Sequence, residues 1–260
     1  MAAAGDVAAP MRAAVAITGT DTGVGKTVIA AALTAALVRG GSRVGVLKPV
    51  ETGVPRASAA PDASLLREAA GAIDPLSVVC PYSFEEPLAP LVAAERAGRR
   101  IDLPALDAAF TRISSGRDVV VVEGAGGLLV PITEASSYET LFRRWDLDLV
   151  IVAANRLGAL NHILLTVRAA EAAGIRVAGV VLNTVDPEST STTLTNLAVL
   201  PRLLGGHRIV AFPYVANTHH IPALADAAFS CQLVSLLPNR VPLPAPAPPP
   251  PASSLPLPAR

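Results

Sequence analysis

A chain of 260 residues, 51% hydrophobic and 16% charged, is long enough for one sizeable core and excludes a disordered polyelectrolyte. Its formal net charge of zero gives no basis for a nucleic-acid surface or an anionic membrane as partner, which leaves small, specific ligands. Of its 21 basic residues only Lys26 and Lys48 are lysine, so a chain that otherwise writes arginine keeps a compact, flexible ammonium at two places.

In chain order, residues 1–13 read as a flexible Ala-rich extension, because Asp6 and Pro10 interrupt it and no apolar run follows a basic start. A single domain is expected over 14–237. There, short β-branched runs alternate with longer Ala/Leu segments, the pattern of strand–helix units around a mostly parallel sheet. Strands are predicted over 14–18, 43–48, 118–123, 148–153, 177–183 and 208–212. Helices are predicted over 26–39, 62–70, 91–97, 104–114, 161–173, 191–203 and 221–236. Val119-Val120-Val121-Val122 is apolar on both faces, as strands covered on both sides by helices are. The fold class is therefore α/β, an open, mostly parallel sheet with helices on both faces. Gly40, Gly71, Gly98, Gly174 and Gly205 fall where helix C-terminal glycines belong. Beyond residue 237, proline recurs almost every second position, and 238–260 is expected to be an extended tail. No run reaches the roughly 18 apolar residues of a membrane span, and cytoplasmic localisation is expected. Cys80 and Cys231 lack metal-ligand spacing and read as small apolar thiols.

Three segments carry chemistry. Gly19-Thr20-Asp21-Thr22-Gly23-Val24-Gly25-Lys26-Thr27 follows the first strand and opens the first helix, which is taken to be amphipathic. It resembles a phosphate-binding loop, in which backbone amides and a helix N-terminus surround phosphate oxygens. Lys26 is then the lysine that reaches the β- and γ-phosphates, and Thr27 the hydroxyl that meets Mg²⁺. Thr20 stands at the usual first-glycine position, with Gly19 one residue earlier. Glu123 ends the four valines and precedes Gly124-Ala125-Gly126-Gly127. A carboxylate at such a strand tip binds Mg²⁺ directly or through water, against the plainer alternative of a solvated strand-end acid. Lys48 leaves the second strand into Pro49-Val50-Glu51-Thr52-Gly53. In an open parallel sheet that exit lies on the ligand edge, where one cation stabilises a transferring phosphoryl group or an anionic intermediate.

Together with Gly158-Ala159-Leu160-Asn161-His162, these motifs closely resemble the dethiobiotin synthetases, over about residues 15–236. Other families with a deviant phosphate loop carry a signature lysine where this chain has Asp21. The resemblance implies a P-loop NTPase-like fold and ATP- and Mg²⁺-dependent carboxylation of 7,8-diaminononanoate with CO₂ to dethiobiotin, ADP and phosphate. It implies a carbamate, then a mixed carbamic–phosphoric anhydride, then ring closure by the second amine. Thr22, Gly23, Val24, Gly25, Lys26 and Thr27 would cradle the triphosphate, and Thr27, Asp62 and Glu123 would hold Mg²⁺. Lys48 would be catalytic, holding carbamate and γ-phosphate together, and Thr52 would touch the substrate. The backbone of Glu123, Gly124, Ala125 and Gly126 would lie beside both ligands. Asn183, Thr184, Pro213, Tyr214, Val215 and Asn217 match the adenine-binding positions; an amide at Asn183 either reads adenine or caps a turn. A homodimer is implied, in which Gly158, Ala159, Leu160 and Asn161 start a helix that receives the substrate carboxylate across the subunit interface. Two other classes use the same loop. A nucleotide-driven partner-binding ATPase is opposed by Asp21 and Lys48, and a cobyrinate-type amide ligase by the lack of room for a glutaminase module.

Overall fold

The computed structural model describes residues 13–55, 59–187 and 191–237. The proline-rich tail lies outside the described residues, and of the expected extension only Ala13 is described, already as part of the first strand. The first half of the chain forms β1 (Ala13–Gly19), α1 (Lys26–Arg39), β2 (Val44–Leu47), β3 (Val50–Thr52), α2 (Pro61–Ala69), α3 (Leu76–Val79), β4 (Tyr82–Phe84), α4 (Pro90–Arg96) and α5 (Leu103–Ser114). The second half forms β5 (Val119–Gly127), β6 (Pro131–Thr133), β7 (Ser136–Ser137), α6 (Tyr138–Arg144), β8 (Asp148–Ala154), α7 (Ala159–Ala172), β9 (Val177–Asn183), α8 (Ser191–Leu203), β10 (Ile209–Phe212) and α9 (Ile221–Ser230).

The six predicted strands form one sheet in the order β10-β9-β8-β1-β5-β2, every pairing in it parallel. The chain leaves β1, crosses to β2 at the edge, and later returns to insert β5 between them. From β8 onward it builds on the other side of β1. That reversal puts the switch point beside β1, where the crevice at the carboxyl ends of the strands takes ligands. The loops after β1, β2, β5, β8, β9 and β10 therefore share one edge.

Burial explains why these runs form these elements. Val119, Val120, Val121 and Val122 are wholly buried, because β5 is an interior strand with helices over both faces. The helix α1 is not amphipathic as the sequence suggested. Ile29 through Leu37 are all buried, since α1 packs against α9 and α2 as well as the sheet. Its Ala-rich stretch suits that position: alanine favours helix and lets three elements approach closely. At its end Gly41, not Gly40, takes the left-handed conformation, with φ of 86° against −79°. The final predicted helix is also shorter, because Gln232 turns left-handed at φ 56° and a 3-10 turn at Leu233–Leu236 follows.

The helix α6 begins with a capping box, the Ser137 and Thr140 side chains each accepting from the other's backbone N–H. Its Tyr138 and Phe142 rings lie beneath β5, so close that a Cβ on Gly124 would sit 3.2–3.4 Å from them. These two fully buried rings form the floor under the strand segment that carries Glu123. Phe142→Ala should lower unfolding free energy by about 3–5 kcal/mol in urea titrations, the cost of truncating a buried phenylalanine.

Candidate active site

Between β1 and α1 the chain makes a tight loop whose last residue, Gly25, caps α1 at φ 90° with no side-chain cap. The orphan amides of the first helical turn thus remain available to an anion. A Cβ on Gly25 would lie 2.1 Å from the Asn183 Nδ2 atom. That amide donates to the Val24 carbonyl at 2.9 Å, so the end of β9 braces the loop from below. Lys26 folds back and donates to the Asp21 carbonyl at 3.0 Å. Gly19 makes room for this, since a Cβ there would meet the Asp21 carbonyl oxygen at 2.6 Å and the Lys26 Nζ at 2.9 Å. Arg156, two residues past the end of β8, sits 3.6 Å from the Asp21 carboxylate.

Lys48 organises the rest. Its backbone N–H donates to the Val79 carbonyl at 2.8 Å, which fixes the exit from β2. Its Nζ donates to Glu123 Oε1 at 2.6 Å and to Asp62 Oδ2 at 2.8 Å. The Thr27 hydroxyl donates to the same Glu123 Oε1 at 2.8 Å. Glu123 is not at a solvated strand tip. β5 continues to Gly127 with Glu123 in register with Ile17, and the side chain has no solvent exposure. Its second oxygen, Oε2, is buried with no hydrogen-bond partner among the described residues.

Charge follows this geometry. Burial by itself would lower the Lys48 pKa, but the carboxylates of Glu123 and Asp62 outweigh it and hold the ammonium above its ordinary 10.5. Its contribution to stability is therefore present below 10.5 and is lost only as pH rises through the higher folded value. Lys26 goes the other way: burial pulls it below 10.5, with Glu123 opposing. Burial would raise Asp62, yet Lys48 beside it brings its carboxyl below the ordinary 3.8. Burial pushes the free Cys80 thiol up to about 12, consistent with an apolar thiol without reactivity.

Of the residues singled out in the sequence, Thr22, Gly23, Gly25, Lys26, Thr27, Lys48, Thr52, Asp62, Glu123, Ala125 and Gly126 line one cavity of about 550 Å³. Val24 and Gly124 are buried behind it, and Asn183 serves as the brace just described. Thr184 donates its N–H to Phe212 at 3.0 Å, linking the ends of β9 and β10. Pro213, Tyr214, Val215 and Asn217 follow along that edge, with Tyr214 exposed and Asn217 Oδ1 accepting from the His219 N–H at 3.1 Å. Gly158 starts α7 at φ 89° without a side-chain cap, and Ala159, Leu160 and Asn161 form its first turn. These lie outside the cavity lining. Sequence reasoning assigned nothing to Glu51 or to the wall Pro87, Leu88, Ala89 and Pro90, all of which line it.

Among the described residues no three His, Cys, Asp or Glu side chains gather as a metal cluster. Thr27, Asp62 and Glu123 instead bring oxygen donors together, one of them the orphaned Oε2. That set fits Mg²⁺, which takes one or two carboxylates and completes its shell with water and phosphate oxygens.

Comparison with known proteins identifies the family. A family model described as an AAA domain matches residues 13–221. An ATP-dependent dethiobiotin synthetase of Anaeromyxobacter dehalogenans is 41% identical over 198 residues, covering 76% of this chain and 88% of the relative. The chain belongs to the dethiobiotin synthetase family. Relatives of the same description from Nitrosospira multiformis (40% identical, 82% of this chain and 94% of the relative) and Bacillus subtilis (35%, 77% and 87%) agree. For a dethiobiotin synthetase built this way, Gly25→Ala should weaken ADP binding by about tenfold or more, measured by fluorescence or calorimetric titration. A Cβ in that left-handed position stores roughly 1–3 kcal/mol of strain and displaces the Asn183 brace.

Proposed function

We propose that this protein carboxylates 7,8-diaminononanoate and closes its ureido ring, giving dethiobiotin, ADP and phosphate from CO₂ and ATP. The observation that carries the reading is Lys48, a buried lysine held between Glu123 and Asp62 on the same cavity as the phosphate loop. One substrate amine captures CO₂ as a carbamate and releases a proton. A carbamate oxygen then attacks the γ-phosphorus and ADP leaves. The second amine attacks the carbonyl carbon and gives up a proton, the bond to the phosphate oxygen breaks, phosphate departs, and the ring is closed.

Such chemistry asks the protein for position and charge, not for a nucleophile. Amides of Thr22 to Thr27 and the Lys26 ammonium hold the phosphates. Lys48 has three rotatable donors on a flexible stem and bridges the carbamate and the transferring phosphoryl group as a point charge. Thr52 and the backbone of Glu123 to Gly126 border the substrate. Mg²⁺, which Thr27, Asp62 and Glu123 would hold, would supply neutralisation of the phosphate oxygens. The adenine end is assigned to the rim from Thr184 through Pro213, Tyr214 and Val215 to Asn217, beside Asn183. A homodimer belongs to the same reading, with Gly158 to Asn161 offered to the partner's substrate carboxylate. Two large apolar side chains beside that turn support it, Leu157 at 87% exposure and Leu165 at 57%. A cytoplasmic location accords with these small metabolites as substrates.

Diaminononanoate, bicarbonate and MgATP should together yield dethiobiotin and phosphate, followed by mass spectrometry and phosphate release. Absence of substrate-stimulated phosphate release would contradict the reading. Lys48→Arg should lower kcat by about 10²–10³, the scale of one preorganised charge-stabilising donor, while ADP affinity stays near that of the unaltered protein. Lys26→Ala should instead weaken MgATP binding.

A further inference from the structure

Glu51 lies on β3 with 3% exposure and borders the catalytic cavity, yet nothing in the reaction requires it to touch substrate. Its two carboxylate oxygens face the start of α2. Oε1 accepts from the Asp62 N–H at 3.0 Å and Oε2 from the Ala63 N–H at 2.9 Å. These are orphan donors of a helix N-terminus, groups that a capping side chain ordinarily satisfies. Here the N-cap residue is Ala60, at φ 35° and without any side-chain cap. An acid from a neighbouring strand therefore does the work the local sequence cannot. Both hydrogen bonds are charge-assisted, and the carboxylate also opposes the positive end of the helix dipole.

The consequence falls on Asp62. Its backbone is gripped by Glu51 while its carboxylate reaches Lys48 at 2.8 Å, so the two ends of one residue are fixed by different strands. We propose that Glu51 is a positioning residue: by capping α2 from β3 it holds the Asp62 carboxylate at the phosphate and metal end of the cavity. This rests on the assignment of Asp62 to the Mg²⁺ set. Each Glu51 oxygen is directed at a backbone amide of α2, and the metal set in this reading remains Thr27, Asp62 and Glu123. The device also ties β3, which carries Thr52 at the substrate end, to α2, which carries Asp62 at the nucleotide end.

Outer partners that orient a metal ligand typically cost 10–100-fold in affinity when lost. The test is calorimetric titration of the full chain with ADP, once with excess Mg²⁺ and once with EDTA, for the unaltered protein, Glu51→Gln, Glu51→Asp and Asp62→Asn. Glu51→Gln keeps the shape but replaces one acceptor with a donor, and Glu51→Asp withdraws the carboxylate by one methylene. Glu51→Gln should lower affinity in Mg²⁺ by about tenfold and leave affinity in EDTA within about twofold, with Glu51→Asp between it and the unaltered protein. Combined with Asp62→Asn, Glu51→Gln should add little, since both act through one carboxylate. If Asp62→Asn itself leaves the Mg²⁺-dependent part unchanged, the metal assignment of Asp62 fails and the proposal with it. If Asp62→Asn lowers it and neither Glu51 variant does, Glu51 has no positioning role. Equal losses with and without Mg²⁺, or failure of both Glu51 variants to fold, would make Glu51 a requirement of the fold alone and overturn the proposal.

Discussion

The site is organised around one buried ammonium. Taking a lysine out of water costs several kcal/mol, and at 3% exposure Lys48 bears nearly all of that. The cost is offset only by counter-charges in hydrogen-bonding contact, here Glu123 at 2.6 Å and Asp62 at 2.8 Å. Each of those contacts constrains the fold. Glu123 must come up from β5 in the register that pairs it with Ile17, and α2 must begin where Asp62 can reach across. Removing either carboxylate would leave a buried charge less compensated, which is usually more damaging than never having had the pair. Lys48 and the two acids are thus one unit, buried at Lys48 and Glu123 above the valines of the core and open to the cavity at Asp62.

The phosphate loop stands on the same constraint from the other side. Thr27 shares the Glu123 oxygen that Lys48 uses, so the first turn of α1 is tied to β5 before any ligand arrives. Asn183 fixes the loop's underside through Val24. Lys26, in hydrogen-bonding contact with no carboxylate among the described residues, turns to a loop carbonyl and is placed to meet an incoming phosphate. The two lysines on this cavity therefore differ in what decides their charge: carboxylates in contact hold Lys48, while burial outweighs the more weakly acting carboxylates at Lys26.

Much of this was legible in the sequence, and for physical reasons. The six sheet strands are apolar on both faces and flanked by helices with strong propensity, so periodicity and composition agree, and all six were recovered with the loops on one edge. The glycine-rich loop could be read because left-handed backbone and helix-dipole binding demand particular residues at fixed spacing. Short elements were missed. β3, β4 and α3 are three or four residues long, too short for any period to register, although Val79 at the end of α3 anchors Lys48. The capping box of α6 involves Ser137 and Thr140, where the expected acid is absent, and it went unread. Helix α1 was misjudged because an Ala-rich helix carries the same local signal whether one face or all of it is covered. Glu51 was hidden for a different reason: it caps a helix that begins 10 residues later, a relation visible only once the Asp62 and Ala63 N–H groups are seen to donate to its carboxylate.

Burial decides the balance at Lys26, whereas the carboxylates decide it at Lys48. Because they are the only lysines in the chain, selective ¹³C,¹⁵N-lysine labelling yields two side-chain signals, assigned by Lys26→Ala, and their titration can be followed by NMR in the ligand-free protein. Lys26 should lose its proton below the ordinary 10.5 while Lys48 remains protonated past it. Two signals titrating together near 10.5 would contradict the buried ion cluster on which the whole site depends.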